Sequence, residues 1–181
     1  MKPMFTSLTF PDHLSIATGL CEENHGVVSN NMYDPEFNVA NQMVSKKRHS
    51  AAIMWPGSMS TYQGYHSGYQ IPFSASRGAR GRIELYKNRT KKMTEWMKTN
   101  EPVNLVLIYF DEPDSTSHVY PPFSAEVWGA VGLADEIVGI LVDSLVKNHF
   151  YSDTNLMVVS GHGFAIVNES LDLTKATDMS L

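Results

Sequence analysis

The 181-residue sequence contains one cysteine, Cys21, so no intrachain disulfide can form and a disulfide-stapled fold is excluded. No apolar run approaches the roughly 20 residues that cross a bilayer, and the N-terminus lacks an apolar signal core. Basic residues are also in the minority, with 14 against 19 acidic ones, which gives a net charge of −5. That balance offers no general attraction for nucleic acid, so we expect neither a nucleic-acid duplex partner nor a membrane span in this chain.

Internal repeats, linkers and low-complexity segments are likewise missing, which predicts a single domain over residues 1–181. Hydrophobic residues make up 43% of the chain, enough for a core in a chain of this length. Eight of the fourteen basic residues lie between Arg77 and Lys98, where they alternate with apolar residues in a helical pattern. A solvated helix face is favoured over a polyanion site for this run.

Apolar runs and amphipathic segments alternate along the chain. Strands are predicted just before Thr9, at residues 51–55, at 103–110 and at 155–160, and the last two are expected to be buried on both faces. Helices are predicted at about residues 12–19 and 81–99, and a third contains the apolar stripe Val127, Val131, Ala134, Val138, Leu141 and Leu145. This order predicts a three-layer α/β/α fold with a mainly parallel sheet.

Chemically competent side chains follow several of these strands. Because ligands bind beyond the carboxyl ends of parallel strands, Thr9, Asp114 and His162 are expected to converge on one edge of the sheet. Asp114 and His118 are four residues apart and can reach one metal, or Asp114 can cap a turn beside an exposed His118. His162 stands between two glycines, as a ligand-facing side chain or as an ordinary loop histidine.

Four motifs, in order, resemble the ectonucleotide pyrophosphatase/phosphodiesterase family of the alkaline phosphatase superfamily. The first is Thr-Phe-Pro-Asp-His at residues 9–13, which is followed by Thr-Gly-Leu, His-Gly and Asn-Asn-Met-Tyr-Asp-Pro. The second is Trp-Pro-Gly-Ser at 55–58, and the third is Glu-Pro-Asp-Ser at 112–115 with His118. The fourth is Ser-Gly-His-Gly at 160–163. The resemblance implies an alkaline-phosphatase-like fold, truncated at both ends. It also implies hydrolysis of phosphodiester or pyrophosphate bonds in a nucleotide or another small molecule.

Roles for individual residues follow from the resemblance alone. Thr9 is implied as the nucleophile that forms a covalent phospho-enzyme, and Asn30 as a donor to a phosphoryl oxygen. The family uses two zinc ions. Asp114 and His118 are implied as ligands of one ion, and Thr9 and His162 as ligands of the other. Phe10 and Tyr109 match aromatic positions beside the substrate's base or choline-like group, although ordinary core packing explains them equally well.

The sequence departs from the family pattern where the metals would bind. Gly161 stands where the family has a ligating Asp, and Ser117 replaces a Gly. Neither the family's first-strand Asp nor its later ligating His is found in the chain, and the join around residues 37–52 is short. We therefore expect partial zinc binding or none, and impaired turnover.

Three interpretations remain open at the level of sequence. The chain is an impaired phosphodiesterase, a non-catalytic paralogue that acts as a weak phosphate-ligand or interaction module, or an incomplete product of a longer gene. Compartment is open as well, because the family works outside the cell or anchored to its membrane, whereas this chain shows no export signal.

Overall fold

The computed structural model describes residues 2–31, 49–59, 67–74 and 82–167. The short join at residues 37–48 and the end of the Asn-Asn-Met-Tyr-Asp-Pro motif lie outside these ranges. The elements in the described ranges are α1 (Thr9–Thr18), α2 (Glu22–His25), β1 (His49–Ile53), β2 (Tyr69–Ile71), α3 (Arg82–Met97), β3 (Val103–Ile108), α4 (Asp114–Ser117), α5 (Ala125–Lys147) and a 3₁₀ turn (Tyr151–Asp153).

The three strands form a parallel sheet in the order β2-β1-β3. β1 is the central strand, and its Ala52 lies opposite Gln70 of β2 and Leu107 of β3. Ala51 and Ile53, the neighbours of Ala52 along β1, are also almost completely buried, as expected for an apolar strand with a neighbour on each side. Because the strands are parallel, the segments that follow them all leave from one edge of the sheet.

Helices cover both faces of this sheet. On one face, Val106 and Ile108 pack against a core of buried apolar side chains from β1, α3 and α5: Ile53, Met54, Met93, Leu141 and Leu145. On the opposite face, Leu105 and Leu107 line a cavity of about 20 Å³ together with Ala17 and Thr18 of α1. Alternate residues of β3 thus face opposite helical layers. The predicted three-layer α/β/α fold is confirmed.

The predicted strands hold only in part. Residues 2–8 form no strand before Thr9; the backbone N–H of Met4 donates to Asp12 Oδ1 at 2.8 Å, so this segment crosses the start of α1. Residues 155–160 are irregular and exposed, with 82% of Met157 accessible. An apolar run becomes a buried strand only beside a partner strand, and in the described part of the chain it has none. β3 is half-buried for the same reason, because among the described strands only β1 pairs with it.

The helices form where expected, but their buried faces differ from the prediction. On α5 the buried side chains are Ala130, Ile137, Leu141 and Leu145, whereas Val131 of the predicted stripe is exposed. On α3 the lysines are exposed, but Arg82 and Arg89 are buried, so a fully solvated basic face is wrong. Neither α5 nor any other described helix combines the length and apolarity that a bilayer crossing needs.

The loop from α2 toward Asn30 is fixed by a buried imidazole. Gly26 takes a left-handed conformation, with φ of 76°, and ends the helix just after His25. His25 Nδ1 accepts from the backbone N–H of Val27 at 3.1 Å, so the proton sits on Nε2 and is donated to Ser15 Oγ at 2.9 Å. Burial lowers the pKa of His25 below its ordinary value of 6.5.

Truncating the core between the sheet and α5 tests the packing. We expect Leu145→Ala to lower the free energy of unfolding by about 2–5 kcal/mol, because Leu145 is 1% exposed and the remaining cavity cannot collapse. Leu85→Ala removes the same atoms from a side chain that is 46% exposed, and should cost no more than about 0.5 kcal/mol. Urea unfolding measures both, and equal losses would contradict the packing described.

Acidification should destabilise the fold through its buried imidazoles. Because the pKa of His25 is lowered in the folded state, the unfolded chain binds more protons at acidic pH. The contribution of the neutral imidazole to the free energy of unfolding is therefore complete above pH 6.5 and is lost as the pH falls below it. The pKa of His13 is lowered too, chiefly by burial. We expect the free energy of unfolding to drop between pH 7.5 and 5.5, and His25→Gln to shrink that drop. The exposed His149→Gln serves as control; equal slopes in both variants would refute the assignment.

Candidate active site

The three strands deliver aromatic side chains to their common carboxyl edge. Trp55 follows β1, Phe73 follows β2 and Tyr109 follows β3. The imidazole of His13, on α1, lies edge-on to Trp55 and to Tyr109 with ring centroids 4.9 Å apart in each case. Because burial lowers the pKa of His13, this imidazole is neutral at pH 7. The base of the site is therefore apolar and uncharged.

A hydroxyl, an imidazole and a carboxylate meet above this base. Thr9 Oγ1 lies 3.5 Å from His162 Nε2, although 153 residues separate them in sequence. The same nitrogen lies 3.7 Å from Asp114 Oδ1, a buried oxygen with no hydrogen-bond partner among the described residues. The predicted convergence of Thr9, Asp114 and His162 is therefore present in the structure, and it leaves a buried carboxylate oxygen facing the site.

His118 joins this group from its outer side. Its Nε2 lies 3.6 Å from Asp114 Oδ2, and its side chain is 68% exposed. The ring of Phe164 packs against both imidazoles, 5.3 Å from that of His118 and 5.8 Å from that of His162. Phe164 was not identified by the sequence analysis, although its position just past Gly163 was a usable signal.

Asn30 lies at the beginning of α1, as its implied role requires. Its Oδ1 accepts from the backbone N–H of Phe10 at 2.8 Å, so the side-chain NH₂ remains for a ligand. The N–H of Asp12 already donates to Leu8 O, and Pro11 has none. In the first turn beyond Thr9, donors to a ligand must therefore come from side chains.

Phe10 and Tyr109 lie on either side of a third aromatic residue, Phe73. The centroid of Phe73 is 5.9 Å from that of Phe10, in an edge-to-face arrangement, and 5.9 Å from that of Tyr109. Burial, followed by the charges of Asp114 and Asp111, raises the pKa of Tyr109, so its phenol stays protonated. Phe73 was missed because β2 is only three residues long and gives no periodic signal.

Gly161 is the position at which the family pattern has a ligating carboxylate. A Cβ placed there would lie 3.3 Å from His13 Cε1 and 3.7 Å from Asp12 Cβ. A side chain at this position would therefore require the His13 ring to move by a few tenths of an ångström.

The described residues do not close around a metal ion. Imidazole and carboxylate are ordinary zinc ligands, and Asp114 contacts His118 through one oxygen and His162 through the other. These contacts form two pairs that share Asp114; no group of three or more His, Cys, Asp or Glu able to hold one ion occurs in the described ranges. The donor types suit zinc, but the arrangement does not fit a complete zinc site.

Comparison with known proteins shows the family of this chain. The family model for type I phosphodiesterase/nucleotide pyrophosphatase matches residues 1–180. Human ectonucleotide pyrophosphatase/phosphodiesterase family member 1 is 30% identical over 90% of this chain and 19% of its own length. A mouse bis(5'-adenosyl)-triphosphatase is 32% identical over 99% of this chain and 43% of its own. The chain thus spans less than half the length of these relatives.

Solved structures show the same fold. Murine ectonucleotide pyrophosphatase/phosphodiesterase 5, an inactive threonine-to-alanine variant in complex with AMP, superposes with a TM-score of 0.69 at 26% identity, over 83% of this chain and 44% of its own. The human counterpart gives 0.65 at 26% identity, over 82% and 43%. The family model matches nearly every residue and the solved structures share the fold. The chain is part of a catalytic domain and belongs to the type I phosphodiesterase/nucleotide pyrophosphatase family.

Proposed function

We propose that this chain binds the phosphoryl group of a nucleotide-type ester among Thr9, Asn30 and His162, next to Asp114, and that it hydrolyses such esters weakly. The observation that carries the proposal is the contact of Thr9 Oγ1 with His162 Nε2. Beside it lies Asp114 Oδ1, which has no hydrogen-bond partner among the described residues. A nucleophilic hydroxyl next to a nitrogen base is the arrangement that covalent phosphoryl transfer needs.

The tautomer of His162 supports a role beside the Thr9 hydroxyl. Its Nδ1 lies 3.1 Å from the carbonyl oxygen of Gly163, to which it donates, so Nε2 is left as an acceptor toward Thr9. In our proposal Thr9 Oγ1 forms a bond to phosphorus as the P–O bond of the ester breaks, and His162 accepts the hydroxyl proton and returns it to the leaving oxygen. The NH₂ of Asn30 donates to a non-bridging oxygen, and water then cleaves the phospho-threonine to regenerate Thr9.

Zinc, when bound by a family member, activates the hydroxyl and neutralises phosphoryl charge. In this chain Asp114, His118 and His162 supply donors in pairs only, so we derive no step through a metal. A neutral imidazole alone is a weak base for an alcohol, which is the physical reason for expecting little turnover.

The ligand class comes from the relatives and from the aromatic side chains. One solved relative is in complex with AMP, and one curated relative is named for a dinucleoside triphosphate. In this chain Phe10, Phe73 and Tyr109 pack against one another, and in our proposal their ring faces or edges contact the base of the nucleotide. An adenine nucleotide is therefore the first ligand to test.

A non-catalytic role is the second candidate. It is favoured by Gly161, which supplies no carboxylate, and by the paired arrangement of the remaining donors. Both candidates require phosphate-ester binding, so turnover distinguishes them.

Binding is tested by isothermal titration calorimetry with AMP. Asn30→Asp keeps an acceptor for the Phe10 N–H but replaces the amide donor with a negative charge that repels phosphate. We expect the affinity for AMP to fall by about tenfold or more, the loss typical of a hydrogen bond to a charged group. Asn100→Asp adds the same charge at an exposed turn and should leave the affinity unchanged. Equal affinities in both variants would place AMP elsewhere.

Turnover is tested with a p-nitrophenyl nucleotide ester and added zinc. We expect only a slow rate above that of Thr9→Ala and of buffer, and a rate equal to both would favour the non-catalytic candidate. Gly161→Asp alone should not restore activity, because it adds one donor and crowds His13. Hydrolysis that requires both zinc and Thr9 would show that the pairs of donors are enough for zinc-dependent catalysis. A large gain in rate from Gly161→Asp would show that the missing carboxylate alone explains the low activity.

A further inference from the structure

One face of α3 carries buried charge. Arg82, Tyr86 and Arg89 recur at four- and three-residue steps, so they share this face, and each is at most 6% exposed. Opposite them, directly after β3, lie the buried carboxylates Asp111 and Glu112. Two cations therefore meet two anions inside the protein, and the carboxylates come immediately before the Pro113-Asp114 step of the active site.

Glu112 connects α3 to α4. Arg82 forms an ion pair with Glu112 Oε1, and both side chains are almost completely buried. The same carboxylate accepts the backbone N–H of Thr116 through Oε2 at 3.1 Å and the Thr116 hydroxyl through Oε1 at 3.0 Å. Glu112 thus caps the first turn of the short helix that begins at Asp114, and Arg82 holds the cap in place.

A second set of bonds fixes the segment just before Asp114. Arg89 donates to the carbonyl oxygen of Tyr109 at 2.9 Å, and the Tyr86 hydroxyl donates to Asp111 Oδ1 at 2.9 Å. Ser115, the residue after Asp114, donates its hydroxyl to Asp111 Oδ2 at 3.2 Å and its N–H to Asp111 O at 2.9 Å. Both ends of this segment are thereby tied to α3.

Stability alone is a weak reason to bury such a network. Removing charges from water is costly, and well-packed apolar side chains often replace a buried ion pair without loss. Apolar side chains cannot accept a hydrogen bond from the Thr116 N–H. The hydrogen bond from this N–H to Glu112 orients the turn that carries Asp114 and His118.

We propose that Glu112, with its charge balanced by Arg82, is a positioning residue whose bonds to Thr116 set the orientation of Asp114 and His118. The geometric claim concerns this chain alone; its importance for ligand binding rests on the proposed function. His118 depends on the same turn, since its N–H donates to the carbonyl oxygen of Asp114 at 3.1 Å.

Two double variants separate positioning from stability. Arg82→Met with Glu112→Leu removes both charges and the acceptor, whereas Arg82→Met with Glu112→Gln removes both charges but keeps an amide oxygen for Thr116. NMR on the full chain measures the hydrogen-exchange rates of the Thr116 and His118 amides, and the amide of the core residue Leu141 serves as the reference for global opening. Lys87→Met, an exposed cation on the same helix, is the control.

We expect exchange at Thr116 and His118 to accelerate by about tenfold or more, relative to Leu141, in the leucine variant and to stay near the wild-type rate in the glutamine variant. AMP affinity, measured in parallel, should follow the same order. If no variant, wild type included, binds AMP, the proposed function fails while the exchange data still decide the positioning. Equal exchange in the two double variants, or acceleration that only parallels Leu141, would overturn the proposal.

Discussion

The parallel direction of β1, β2 and β3 is the constraint on which the rest of the molecule depends. Because the strands share one direction, the segments after them leave from a single edge, and residues far apart in sequence become neighbours there. Thr9 and His162, which are 153 positions apart in the sequence, contact each other because α1 and residues 160–163 both reach that edge. The aromatic side chains beneath them lie in the segments that follow these three strands.

Charge is distributed unevenly around this edge. Below the site His13 is neutral and packed between aromatic rings, whereas beside it Asp114 keeps one buried oxygen unpartnered among the described residues. Behind Asp114 the four charges of Arg82, Arg89, Asp111 and Glu112 cancel. The local negative charge that a cation or a proton would meet thus comes chiefly from Asp114 and from the buried Asp12 beside His13. No closed group of ligands occurs in the described part of the chain.

Much of the fold can be predicted from the sequence, since long periodic segments such as α5 and apolar runs such as β1 are dictated by local pattern. Residues 155–160 could not be predicted in this way, because an apolar run indicates a strand but burial requires a partner that the run itself does not encode. Arg82 and Arg89 were misjudged for a related reason: their charge resembles that of the exposed lysines around them, and only Asp111 and Glu112 from a distant segment make burial possible.

The candidate site could be predicted in its members but not in its details. The motifs identify Thr9, Asn30, Asp114, His118 and His162, and the sheet brings all but the exposed Asn30 into direct side-chain contact. The roles of these residues remain predictions. Phe73 carries no pattern that sets it apart, and its place follows from tertiary packing alone, whereas Phe164 directly follows the Gly-His-Gly segment.

The exposed run from Leu156 to Val159 has a practical consequence. Four consecutive apolar side chains, each at least 38% accessible, form a water-exposed apolar patch. Globular proteins usually bury such a patch against other residues or a partner. Sulfate and other strongly hydrated salts raise the cost of keeping such surfaces in water. Solubility of the isolated polypeptide should therefore be governed by lyotropic salt more than by its net charge, and purification in low-sulfate buffer follows from the exposure of these side chains.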